Sequence, residues 1–217
     1  GYKQAGNTVL YASSTNGSAA VAASNAATWM SASSTAFNSV AVGTMALGGT
    51  PLSGAAVQNV AVGYYALPVN TTGGSNSAFG ALSLYNNTTG GANTGVGFGA
   101  LSANISGSNN AALGYSSLYT SKTGSGNATV GSFASYYNSS ATNTVAIGYG
   151  AAQGAAPYSN QGSVAVGMNS GISFQTGSDY NTLLGYQAGY DVTTGARNTI
   201  LGQFETTGSG ITSGSGN

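Results

Sequence analysis

The 217-residue chain has no cysteine and no histidine, and charged residues make up only 3% of it. Without thiol or imidazole there can be no disulfide and no thiolate- or imidazole-ligated metal site. The charges are Lys3, Lys122, Arg197, Asp179, Asp191 and Glu205, so the formal net charge is zero. Nucleic-acid binding requires clustered Lys and Arg to neutralise phosphate, and docking on an anionic membrane requires the same; neither is expected. Apolar runs are short, pieces such as Val40–Val42, far below the ~18 residues of a membrane helix or the ~9–11 of a barrel strand. No membrane insertion is expected. Glycine and proline number 36 and 3, below the ~25–30% share that marks disorder. Hydrophobic residues are 41% of the chain and recur at a fixed period, which favours an ordered fold.

Catalysis has few groups to draw on. A Ser–His–Asp arrangement is impossible without histidine. A serine–lysine pair would depend on Lys3 or Lys122, and Lys122 lies in a polar corner, "TSKTG". Asp179, Asp191 and Glu205 sit at unrelated places in the repeat described below, so they do not form a carboxylate pair. The expectation is a protein that is not an enzyme, with no cofactor and no metal.

What the chain does have is a repeat. Short segments such as "NSVAVG", "NTGVG" and "NTVAIG" end at Gly43, Gly63, Gly80, Gly97, Gly114, Gly131, Gly148, Gly167, Gly185 and Gly202, mostly 17 residues apart. The residue before each glycine is large and apolar: Val42, Val62, Phe79, Val96, Leu113, Val130, Ile147, Val166, Leu184 and Leu201. The residue three before is small or β-branched, from Val40 and Val60 to Thr182 and Thr199. Alternation over so few residues reads as a short strand with these first and last columns facing inward. On that reading Val130→Asp or Ile147→Asp should break the core.

Four residues after the glycine stand Leu47, Leu67, Leu84, Leu101 and Leu118, fading later to Ser135, Ala152, Gly171, Gly189 and Thr206. This column suggests a second short strand. Polar turns rich in Asn, Thr and Gly separate the repeats, as corners require. Together these features predict an all-β parallel solenoid or β-roll of about ten coils of ~17 residues. Asn38, Asn59, Asn76, Asn93, Asn110, Asn127, Asn143, Asn181 and Asn198 recur before the strands and predict a stacked amide ladder. Residues 1–37, with the single Trp29, lack the repeat and read as an N-terminal cap or connector. Residues 38–217 read as the repeat domain, continuing past the last residue. The chain opens at Gly1 rather than Met and reads as a piece of a longer one.

The middle strand column, between the two inward ones, should point outward. It holds Ala41, Ala61, Ala78, Ala112, Ala146 and Ala165, then Leu183 and Ile200. A long stripe of small apolar residues is expected to line a contact with another copy. Ala112→Arg should then dissociate the assembly while sparing the coil. Tyr64, Tyr115, Tyr149 and Tyr186 directly follow their glycines. They read either as a sugar- or protein-contacting face or as corner stacking between coils, with stacking the preferred reading. Asn16, Asn70, Asn86, Asn87, Asn104, Asn127 and Asn138 each begin an Asn-x-Ser/Thr triplet, a pattern that this composition produces readily.

The "NSVAVG" and "NTVAIG" motifs followed by "YxAL" resemble the head repeats of trimeric autotransporter adhesins of the YadA type, and are similar to repeats of phage tail fibres and bacterial surface proteins. The resemblance spans about 38–205. It implies a left-handed β-roll in a homotrimer, with the alanine stripe at the trimer axis, carried outside the cell or virion. The period differs, being about 14 in those heads and mostly 17 here. The expected role is an extracellular structural or adhesive fibre segment that attaches to a host-cell or other surface receptor, a glycan being one candidate. A phage tail-fibre shaft and an ice- or surface-binding solenoid are the alternatives. The last would need an unbroken threonine array, which Val and Ala interrupt here.

Overall fold

A computed structural model describes residues 2–4, 7–12, 19–21, 38–48 and 56–202. Trp29, Glu205, Thr206 and any eleventh motif lie outside the described residues. Ten three-residue strands run parallel in one sheet: β4 (Val40–Val42), β5 (Val60–Val62), β6 (Ser77–Phe79), β7 (Thr94–Val96), β8 (Ala111–Leu113), β9 (Ala128–Val130), β10 (Val145–Ile147), β11 (Val164–Val166), β12 (Thr182–Leu184) and β13 (Thr199–Leu201). The protein is a parallel β-solenoid with one strand per coil. Three earlier strands join the same sheet: β1 (Tyr2–Gln4), β2 (Asn7–Ala12) and β3 (Ala19–Val21). The β1–β2 and β2–β3 pairs are antiparallel, and β3 meets β4 in parallel.

Strand register follows the repeat. Val145, Ala146 and Ile147 lie against Val164, Ala165 and Val166, so every column of the sequence becomes a column along the rod. The glycine closing each strand has a φ that only glycine adopts readily, +136° at Gly114. There is also no space for a side chain: a Cβ on Gly114 would stand 2.6 Å from the carbonyl carbon of Gly131 in the next coil.

Among the described residues the expected second strand is absent. The leucines of that column occupy turns, and Leu67, Leu84, Leu101 and Leu118 have φ of 50°, 52°, 56° and 52°. A left-handed leucine costs about 1–3 kcal/mol. Burying its side chain contributes about 1.5–3 kcal/mol, and all four are fully buried. The stacked backbone also holds the geometry, with the Leu84 N–H donating to the Ala100 carbonyl (3.0 Å) and the Leu101 N–H to Ser117 (3.1 Å). Extended backbone is therefore unnecessary to bring this column inside.

The strand faces the opposite way from the sequence expectation. Ala41, Ala61, Ala78, Ala112, Ala146, Ala165 and Leu183 are buried inside the coil, and Ile200 is half-buried. Val130, Ile147 and the other large residues before the glycine are half-buried or exposed. The reason is the narrow interior. A Cβ placed on Gly95, in the middle column, would meet the Ser83 Oγ at 2.5 Å and the Leu84 Cγ at 3.6 Å. The opposite wall already supplies leucine, so the strand has room for little more than a methyl group. An aspartate at 130 or 147 thus falls on the outside and is not core-breaking. Where the wall shrinks, the strand grows: a Cβ on Gly189 would meet both Leu183 methyls at 2.8 Å. The core accordingly divides in two. The N-terminal part is filled by Leu47, Leu67, Leu84, Leu101 and Leu118. The C-terminal part is filled by Tyr158, Phe174, Leu183 and Val192. Tyr158 donates its hydroxyl to the Ala152 carbonyl, and burial pushes that phenol far above its ordinary range.

Asparagine ladders line the buried edges. Asn93 Nδ2 donates to the Gly107 carbonyl (2.8 Å), while its Oδ1 accepts the Asn110 N–H (3.0 Å). Asn59, Asn76, Asn93, Asn110 and Asn127 continue this pattern. Asn181 and Asn198 form it again further on. Asn38 and Asn143 do not belong: they lie one residue earlier, exposed, in the left-handed region, and Ser39 and Thr144 occupy the buried places. A second ladder runs through Asn70, Asn87 and Asn104, linked by amide-to-amide bonds of 3.1 and 2.7 Å. It stops at Ser121, where the Asn104 Oδ1 and Ser121 Oγ are buried without partners. Ser121→Asn should extend it, since the Gly124 carbonyl stands where Gly107 stands for Asn104. The expected gain is about 1–2 kcal/mol, read as a rise in the thermal midpoint; no rise would mean the column cannot accept an amide there.

Candidate interaction surfaces

Because small residues fill the interior, the large ones form the surface. The exposed large hydrophobics on the strands are Val40, Phe79, Leu113, Val130, Ile147, Leu184 and Leu201. Those directly after the glycine are Tyr64, Phe98, Tyr115, Tyr149, Met168 and Tyr186. Among the described residues only Ile105 and Tyr180 are exposed elsewhere. Nearly all the exposed apolar bulk thus wraps a single edge of the rod, with the strand face on one side of the glycine corner and an aromatic face on the other. Ten coils at ~4.8 Å give a band about 43 Å long; three residues at ~3.3 Å make the strand face about 10 Å wide, roughly 400 Å² in all. Scattered apolar residues need no explanation, and a band of this size is comparable to the largest patch on a typical monomer, ~300–600 Å², which is often functional.

The alanine stripe expected at a subunit contact cannot form one. Ala112 is 2% exposed and Leu113 beside it 50%, so another copy meets the leucine. The clue available in sequence was the exchange in size between columns: leucine after the glycine with alanine on the strand, then Gly189 with Leu183. Such compensation shows that the two columns face each other, which fixes the strand's inner side.

Corner stacking between coils, the preferred reading of the tyrosines, holds for part of the column. Phe98 and Tyr115 stack between coils at 5.3 Å with an 11° interplanar angle, and Tyr119 and Tyr136 stack at 5.1 Å and 3°. Yet Tyr64, Tyr115, Tyr149 and Tyr186 all remain exposed. Where Ser132 interrupts the column, Phe133 from the next position bridges Tyr115 and Tyr149 at 5.3 and 5.9 Å. Burial and the neighbouring Tyr119, Tyr137 and Tyr115 raise the Tyr136 phenol above its usual range.

Two of the described charged side chains make local contacts. Asp179 Oδ1 accepts the Gln161 N–H (2.9 Å), and the Arg197 guanidinium lies 5.6 Å over the Tyr180 ring. No cluster of three His, Cys, Asp or Glu occurs among the described residues. Of the Asn-x-Ser/Thr triplets, Asn70, Asn87, Asn104, Asn127 and Asn138 are buried and Asn86 is exposed; Asn16 lies outside the described residues. Comparison of the chain with protein-family models, with curated proteins and with solved structures returned no match.

Proposed function

We propose that the chain is a segment of an extracellular structural and adhesive fibre, built from copies that associate laterally, with a homotrimer the expected assembly. The observation that carries this reading is the apolar band along one edge of a neutral rod. Inside the coil, the asparagines are engaged in ladders that hold successive coils together. Outside, the chain presents length, rigidity and a one-sided apolar surface. Those properties suit a fibre shaft that holds an attachment surface away from its base. The strand's outward columns carry Val, Leu, Ile and Phe at most positions, which does not suit an ice-matching threonine array.

Two measurements test the proposal. Sedimentation velocity on the full chain should give a trimer mass at micromolar concentration. Beads coated with the chain should be retained on a panel of cell surfaces and immobilised glycans, with soluble chain competing. Retention no better than that of uncoated beads removes the adhesive part, and a monomer removes the assembly.

A further inference from the structure

Four contacts between two tyrosine rings occur among the described residues, and two of them join different coils. Tyr65 and Tyr85 stand 6.1 Å apart with a 40° tilt. Tyr119 and Tyr136 stand 5.1 Å apart with their planes at 3°. Both are half-buried. The Thr120 N–H and Oγ1 each donate to the Tyr136 carbonyl, at 3.1 and 2.8 Å, which holds the two coils in register beside the rings. The pair also stands at a particular junction, between residues 115–131 and residues 132–148. Three supports of the stack give way there together. Ser135 follows Leu118 in the inner wall, and Thr144 follows Asn127 in the first asparagine ladder. In the second ladder, Ser121 and Asn138 share no side-chain bond, for the Ser121 Oγ and Asn138 Oδ1 are buried without partners, as is the Ser135 Oγ. The chain has no cysteine, so no disulfide can tie this junction.

We propose that Tyr119 and Tyr136 form a site of oxidative phenol coupling, a carbon–carbon staple between successive coils made by hydrogen peroxide and a haem peroxidase acting on the chain. It goes beyond the fibre reading and stands whether or not the fibre adheres. Each phenol gives up one electron and its hydroxyl proton to the peroxidase. The two phenoxyl radicals then join at ring carbons beside their oxygens. Each of those carbons releases its hydrogen as a proton and each oxygen regains one, which restores both phenols. The chain loses two hydrogens, and one peroxide is reduced to two waters. Geometry selects this pair. The unpaired electron occupies orbitals perpendicular to the ring, so the first bond forms between facing rings. Tyr64 with Tyr65, at 60°, and Tyr136 with Tyr137, at 81°, meet edge to face instead. Phe98 and Phe133, the other stacked partners nearby, have no phenol to oxidise. The bond would close a loop from 119 to 136 and restrict the unfolded chain at the junction where side-chain support is thinnest.

Trypsin offers a direct assay. It cuts after Lys and Arg, here Lys3, Lys122 and Arg197, and Lys122 lies between the two tyrosines. The full chain, kept dilute, is treated with hydrogen peroxide and a haem peroxidase, then unfolded in urea and digested. Before digestion the product should run as a single chain on a denaturing gel. After digestion the fragments 4–122 and 123–197 should stay joined, with dityrosine fluorescence and a mass lower by two hydrogens than their sum. Tyr119→Phe and Tyr136→Phe keep a ring in place and remove one phenol, and circular dichroism checks that each variant is folded. Each should release the fragments, whereas Tyr115→Phe and Tyr137→Phe should leave them joined. The treated parent should also melt at a higher temperature than treated Tyr119→Phe, relative to their untreated forms. Fragments that separate as they do without peroxide overturn the proposal. Fragments that stay joined in Tyr119→Phe or Tyr136→Phe, or coupling found only between chains, overturn it as well. Coupling at this pair with no rise in the thermal midpoint overturns its role as a staple.

Discussion

Ala112→Arg is expected to abolish the cooperative melt of the solenoid, while Leu113→Arg, its immediate neighbour, leaves the isolated coil nearly as stable as before. Ala112 lies in the interior opposite the leucine wall, beside Gly95 and Thr129 in the adjacent strands. An arginine there either carries an unpaired charge into the core, at a cost of about 3–5 kcal/mol, or forces the coil open. Overpacking adds about 1–3 kcal/mol. Together these approach the whole stability of an ordinary domain, about 5–15 kcal/mol. At 113 the guanidinium stands in water, and the expected change is within about 0.5 kcal/mol. Circular dichroism melts should be recorded at a dilution where copies do not associate, so that loss of assembly is not counted as loss of fold. Equal damage at both positions would falsify the assignment of the inner side.

The period, the strand position and the solenoid class were legible because ten glycines and ten flanking apolar residues recur in register. The asparagine ladder was legible in outline. The inner side of the strand was not, because the usual rule assigns large residues to the core and small ones to contacts. That rule assumes an interior thick enough for two facing layers of side chains. Here Leu84 and Ser83 reach the backbone of Gly95, so a single layer fills the coil. The left-handed leucines were equally hidden. Leucine at positive φ contradicts local preference, and only the stacked neighbours impose it. The second ladder was visible only as Asn-x-Thr and Asn-x-Ser triplets, whose asparagines prove to be buried. The reversal in turn exposed the candidate interface. Once alanine is inside, Phe79, Leu113 and Ile147 have no cover among the described residues.

Gly114→Ala should do more than weaken the fold: it should split it. The added methyl would stand 2.6 Å from both the carbonyl carbon and oxygen of Gly131 and 3.0 Å from the Ser132 nitrogen. All three are backbone atoms, so no side chain can swing away. The coil above cannot rise easily either, because the Gly131 N–H is bonded to the Leu113 carbonyl at 2.7 Å. Backbone strain of about 1–3 kcal/mol at a φ of +136° adds to the clash. Gly177→Ala provides the control, since its φ of +96° is also strained but no atom lies within 4 Å of the added Cβ. The loss at 114 should exceed the loss at 177 by several-fold in denaturant melts. Its location matters as much as its size. In a solenoid each coil contacts only its neighbours, so stability is a sum of coil and interface contributions. Weakening the junction above Gly114 uncouples the leucine-filled stack from the coils packed around Tyr158, Phe174 and Leu183. A single transition should become two, with amide exchange accelerated first in the coils closing at Gly97, Gly114 and Gly131. A melt that stays single and merely shifts would show that cooperativity spans the rod by some route other than coil-on-coil stacking.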